Sequence, residues 1–223
     1  MQQDTFFEPA VLEVLADGST ADLTLGLEDL LSPDLELRRK GLKTLVEMDA
    51  HRRSPLAAAV IAGQIREPDI DLRTRIAAAL AEVCVSASDT ERPPVEVRSW
   101  VRRVLTGMRT REIYSLLQVI AYDADQTEQV CSLLQACSFS GETMLAIVKD
   151  GRADIAIRVA AVKAIAVIGY LDAIVVLEQL NQRIAGQIAG QIPMAFAGRL
   201  EAEAEQLLPA LQEALHLLAE VAD

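Results

Sequence analysis

Apolar residues recur along this chain at helical steps of three and four, and they do so after four similar starts. The starts are Asp34-Leu-Glu-Leu-Arg38, Asp69-Ile-Asp-Leu-Arg73, Pro94-Val-Glu-Val-Arg98 and Asp154-Ile-Ala-Ile-Arg158. Each reads as a capping-type residue or a proline, an aliphatic, a variable residue, an aliphatic and an arginine. Leu42 and Leu45 follow Arg38, Ala77 and Leu80 follow Arg73, Val101 and Leu105 follow Arg98, and Val162 and Ile165 follow Arg158. The pattern predicts one helix after each start. Asp34, Asp69 and Asp154 can accept from the free amides of the first turn, and their charge suits the positive end of the helix dipole. Pro94 fits a first turn because its missing amide would be unpaired there. The arginine four residues on is expected to return to the aspartate of its own or a neighbouring unit.

The four arginines are 35, 25 and 60 residues apart. The last interval holds two units, and helical patterns over 112–121 and 128–136 fill it. A period of roughly 30 to 40 residues predicts one helical hairpin per repeat. At the N-terminus Phe6, Phe7, Val11, Leu12 and Leu15 suit a capping helix, because a stack of repeats exposes apolar surface at its ends. Near the C-terminus an apolar stripe runs through Leu200, Leu207, Leu208, Leu211, Leu215, Leu218 and Val221. Glu201, Glu203, Glu205, Glu213 and Glu220 occupy the opposite, solvated face of that expected helix. Gly186, Gly190 and Pro193 predict a bend over 186–193, and 86–94 reads as a polar connection.

Composition sharpens this to an all-α protein. Of the 223 residues, 51% are apolar and only 4% aromatic, and Ala and Leu favour helix over strand. The three cysteines, Cys84, Cys131 and Cys137, lack the paired close spacing of a zinc site. They are expected to be small buried hydrophobes in a reducing compartment. A net charge of −12 repels phosphate backbones, which disfavours nucleic acid as a partner. The most apolar stretch, 155–180, carries Arg158, Lys163, Asp172 and Glu178, too many charges for a membrane span. The first ten residues have neither a basic nor a long apolar region of a secretory signal. The expected location is the cytoplasm, with no membrane partner.

The Asp-x-x-x-Arg starts and their Ala-rich continuations resemble HEAT repeats, in particular the short bacterial kind found in bilin-lyase-type proteins. The likeness is closest over Asp154-Ile-Ala-Ile-Arg158-Val-Ala-Ala-Val-Lys-Ala-Ile-Ala-Val-Ile-Gly169, and 170–180 looks like the first helix of the next unit. It covers about residues 22 to 185. The unit at 94 departs from the pattern, with Trp100 and Arg102 where small residues are usual. The resemblance implies a right-handed α-solenoid of about five to six HEAT-like helical hairpins with amphipathic end caps. The whole chain, 1–223, then forms one solenoid: a cap over 1–21, repeats over 22–185, and a hinge with a capping helix over 186–223. Asp34, Arg38, Asp69, Arg73, Arg98, Asp154 and Arg158 are the structural residues of the repeats. The second helices of such units line the concave side, which would place Lys43, Glu47, Arg75, Arg102 and Lys163 near a binding face.

Signatures of chemistry are missing from the sequence. His51 follows Asp49 in an expected surface turn and His216 lies in the last helix, with no zinc-type spacing. There is no nucleophile elbow, phosphate loop or dinucleotide fingerprint. No catalytic residue, metal or cofactor is therefore expected. One segment breaks the acidic trend: Arg92, Arg98, Arg102, Arg103, Arg109 and Arg111 face a single Glu96, with Trp100 among them. Arginine and tryptophan are common interface anchors, so Arg98, Trp100, Arg102, Arg103 and Arg109 form a candidate docking patch for an acidic protein or peptide. The chain after Arg199 has no Lys or Arg, so its acidic last helix could also meet the Arg-rich helix of another copy. The expected function is a protein-binding scaffold. The resemblance also allows a bilin-lyase-like or small-molecule-binding protein, and an alkylated-DNA repair protein, which the net charge opposes.

Overall fold

The computed structural model describes residues 19–85, 92–189 and 202–222. Of these residues 82% are helical, most of them in twelve α-helices, and no strand occurs among them. The expected N-terminal capping helix and Pro193 lie outside the described residues.

The helices are α1 (Ser19–Leu30), α2 (Leu35–Glu47), α3 (Ala50–Arg53), α4 (Pro55–Gly63), α5 (Ile70–Cys84) and α6 (Val95–Thr106). They continue as α7 (Thr110–Tyr122), α8 (Thr127–Gln135), α9 (Ser140–Lys149), α10 (Ile155–Ile168), α11 (Ile174–Ile188) and α12 (Leu208–Ala222). The predicted helix starts are present. Asp34 accepts from the amides of Glu36 at 2.8 Å and Leu37 at 3.2 Å, Asp69 from Leu72 at 2.9 Å, and Asp154 from Ala156 at 2.8 Å. Pro94 sits at the N-cap of α6, one residue before its first turn. Gly169 ends α10 with φ +74°, and the Tyr170 amide reaches back to the Ile165 carbonyl at 3.1 Å. A left-handed residue there favours glycine. Helix α11 runs through Gly186 to Ile188, so the expected bend does not begin at 186.

Packing follows from small residues on facing helices. Helix α1 lies against α2, where Gly41 leaves no room for a side chain: a Cβ there would collide with the Leu30 nitrogen and meet the Gly26 oxygen at 2.6 Å. Helices α2, α5, α8, α10 and α12 touch one another in that order. Ala77, Ala79, Ala81, Ala160, Ala161 and Ala164 are buried along that row and let the helices approach closely. On the other side α1 meets α4 and α4 meets α6, while α7 packs against α5, α8, α9 and α10. Helix α11 closes on α12.

Several of the tertiary hydrogen bonds recur at nearly one sequence interval. Arg38 binds Glu67, 29 residues on; Arg39 binds Asp69, 30 on; His51 binds Glu82, 31 on. Thr106 binds the Ala136 carbonyl 30 on, and Cys131 the Ala164 carbonyl 33 on. Helices separated by one period in sequence are therefore neighbours in space.

The arginine of the repeated start does not return to its aspartate. Arg38 donates to the carbonyls of Ser32 and Pro33, Arg73 to those of Glu67 and Pro68, Arg98 to Pro93 and Arg158 to Val148. The aspartate oxygens are already engaged by the first-turn amides. The longer guanidinium instead satisfies carbonyls of the chain entering the helix, which no helix could otherwise pair. The two side chains thus act on opposite sides of the start. The aspartate closes the first turn of the helix, and the arginine fixes the loop before it.

Candidate binding face

Three clefts lie along the α2–α5–α8–α10–α12 row. The first, of 280 Å³, opens between α2 and α5, with Leu42, Val46, Ala78 and Ala79 as its floor and Arg39, Lys43, Glu47, Arg75 and Glu82 as its rim. The second, of 320 Å³, is made by Val83 and Cys84 of α5, Arg98 and Arg102 of α6, and Ser132, Gln135 and Ala136 of α8. The third, of 200 Å³, lies between α8, α10 and α12, where Thr127, Lys163, Val167, Glu213 and Leu217 surround alanines. The pattern that buries one stripe of each helix leaves its next turn facing these clefts. Lys43, Glu47, Arg75, Arg102 and Lys163 thus each line a cleft on one helical row.

The charges of the row run against those of the chain. Its clefts are lined by six basic side chains and three acidic ones, although the chain carries −12 overall. Two of the acids have partners: Glu47 is 3.7 Å from Lys43, and Glu82 is 2.8 Å from His51 Nε2. Arg39 is held by Glu36 and Asp69, and these hydrogen bonds, Asp69's first, keep its guanidinium above its ordinary pKa. Arg75, Arg102 and Lys163 are exposed, and their side chains make no hydrogen bond or ion pair with another described residue. Each cleft therefore holds at least one cation with no described ion-pair partner: Arg75 in the first, Arg102 and Arg98 (which bonds only the Pro93 carbonyl) in the second, and Lys163, beside Glu213, in the third.

The predicted Arg/Trp patch divides into three places. Arg98 and Arg102, one turn apart on α6, line the middle cleft. Trp100 is 48% exposed on another face of α6, with the Arg103 guanidinium 5.7 Å from its ring centroid. Arg109 lies at the start of α7 and stacks over Phe139 at 3.9 Å, a cation–π contact that ties α7 to the approach of α9.

Several other expectations change. His51 is not a surface residue: it is 2% exposed in α3, and its Nδ1 has no hydrogen-bond partner among the described residues. The short α3 folds it under α5, where Glu82 takes its Nε2. Glu203 does not face solvent. It is 5% exposed and receives Arg158 at 2.5 Å, with Arg183 at 3.9 Å. A π turn over Glu203–Leu207 precedes α12, and its wider winding shifts the register that a regular amphipathic helix would have kept. Cys131 and Cys137 are buried, but Cys84 is exposed at the rim of the middle cleft. Desolvation raises the Cys84 thiol to about 11, against the pull of Arg102, so it is protonated at neutral pH. Burial raises Cys131 to about 12.

No group of three or more His, Cys, Asp or Glu residues placed to hold a metal ion occurs among the described residues. No described helix is long and apolar enough to cross a membrane. No family model, curated protein or solved structure matches the chain.

Proposed function

We propose that the chain is a HEAT-like α-solenoid acting as a non-enzymatic scaffold that binds a partner protein in the cytoplasm. Helices one period apart stack on each other, as repeats that cannot bury their faces alone must do. The observation that carries the proposal is the run of three clefts along one row of helices, together lined by six basic and three acidic side chains on an acidic chain. Open grooves over several helices suit an extended partner segment, whereas a small molecule calls for a more enclosed site. No observation favours bilin-lyase-like chemistry or alkylated-DNA repair over this function.

The test is reconstitution. The immobilised chain is incubated with lysate of its host, and each retained protein is identified, expressed and mixed with the purified chain. A stable binary complex in sedimentation supports the scaffold. If no captured protein re-forms a complex, the proposal fails, and absorbance titration with a linear tetrapyrrole tests the bilin alternative.

A further inference from the structure

Resting on the scaffold function, we infer that the row binds an acidic segment of the partner, an extended stretch in which carboxylates alternate with aliphatic or small side chains. The three cations Arg75, Arg102 and Lys163 sit one to a cleft, exposed and without a described partner. A protein of net charge −12 has an ample supply of carboxylates for its own cations, yet none of the described carboxylates pairs with these three. Their spacing follows the helices that carry them. Packed helices lie ~8–10 Å apart, so clefts spread over the row span roughly 25 Å. About eight extended residues at ~3.3 Å each cover that length. Between the cations the floors are apolar: Leu42 and Val46 in the first cleft, Val83 in the second, Val167 and Leu217 in the third. Val167 is 45% and Leu217 39% exposed, so aliphatic surface is open beside Lys163. A basic or uncharged apolar segment would leave the cations unmatched, whereas a carboxylate at every second residue of an extended segment lines the side that meets them.

The test uses a fluorescein-labelled peptide of three Glu-Leu-Glu-Ala repeats and the same peptide with Gln for every Glu. Fluorescence anisotropy is read with the full chain at about 50 and 200 mM NaCl. Binding of the Glu peptide is expected to exceed that of the Gln peptide and to weaken with salt, because exposed charges are screened. Arg75→Glu, Arg102→Glu and Lys163→Glu each weaken it roughly three- to tenfold, and the triple variant by at least about thirtyfold. Lys149→Glu, an exposed reversal on α9 away from the clefts, leaves affinity unchanged. Circular dichroism confirms that each variant stays helical, as expected for side chains without structural partners. The inference is overturned if the Gln peptide binds equally, if the triple variant binds as wild type does, or if Lys149→Glu weakens binding as much. If the reconstituted partner of the scaffold test still binds the triple variant at full strength, the scaffold stands and the acidic occupant of this row does not.

Discussion

The start Asp-x-x-x-Arg occurs near both ends of the described chain, and its arginine meets two different electrostatic situations. In the N-terminal region Arg38 has a side chain 15% exposed, binds two loop carbonyls and pairs with Glu67 at 2.9 Å. The Glu67 hydrogen bond, before any other influence, holds its pKa above the ordinary value. In the C-terminal region Arg158 is 2% exposed, binds one carbonyl, and depends on Glu203 for its charge. One of its terminal nitrogens, Nη2, is buried without a hydrogen-bond partner among the described residues. The two regions show that one local motif can serve as a tie whose arginine is partly exposed or as one whose arginine is buried. What differs is how much of the surrounding helix row closes over it.

The sharpest test of that difference removes one partner from each pair. Arg158→Ala removes the 2.5 Å partner of the buried Glu203 carboxylate and is expected to cost about 3–5 kcal/mol. Glu67→Ala leaves Arg38 near solvent with its carbonyl partners, and is expected to cost about 1–3 kcal/mol. Urea unfolding followed by circular dichroism reads both. Equal losses would erase the distinction between the two regions.

Glycines offer a second, smaller contrast. At Gly41 a new methyl group would press on the backbone of α1, which cannot move without separating two helices. At Gly141 it would meet the Tyr170 ring at 2.6 Å, a side chain at the surface of the core. Gly41→Ala is therefore expected to cost about 1–3 kcal/mol by overpacking, partly offset by the better helix propensity of Ala. Gly141→Ala is expected to cost less, since a ring can turn aside. If both unfold at the same urea midpoint, close approach in the N-terminal hairpin is not limiting.

The sequence made local features legible and tertiary ones only in part. Caps at Asp34, Asp69 and Asp154 were readable because an aspartate and the amides it closes lie within three residues. The helix patterns over 112–121 and 128–136 correspond to α7 and α8. The arginine partners were not readable. Arg73 turns to the Ser115 carbonyl and the Gln118 amide oxygen, more than forty residues away. Periodicity misplaced Glu203 because a π turn breaks the helical register on which the pattern rests. His51 looked like a polar turn residue because Asp49 and two arginines flank it; the turn of helix that buries it was too short to show a period. For the clefts, sequence alone named several lining residues through the resemblance. Helical spacing put Arg98 and Arg102 on one face and Trp100, two residues from each, on another; it could not show which of these faces α6 turns to the cleft with α5 and α8.

The smallest effect isolates charge from capping in the N-terminal region. Asp69 caps α5 and also receives Arg39 at 3.1 Å. The Leu72 amide, then the Arg39 hydrogen bond, hold its carboxyl below the ordinary carboxylate value. A carboxyl lowered on folding stabilises the protein above its unfolded pKa of about 3.9, and that stabilisation is lost as pH falls through the lower folded value. Asp69→Asn keeps a capping oxygen but removes the charge. It is expected to cost under about 1 kcal/mol at pH 7, because the Arg39 pair is partly exposed. At pH 2 the wild-type carboxyl is increasingly protonated, so the gap between wild type and variant narrows. Asp154, which accepts from Ala156 and pairs with no described cation, provides the C-terminal comparison. Asp154→Asn is expected to be closer to neutral at pH 7 than Asp69→Asn. If Asp69→Asn shows a gap that does not change between pH 7 and pH 2, the stabilisation comes from the hydrogen-bond geometry alone. The Arg39 bridge between neighbouring units would then carry no measurable charge effect.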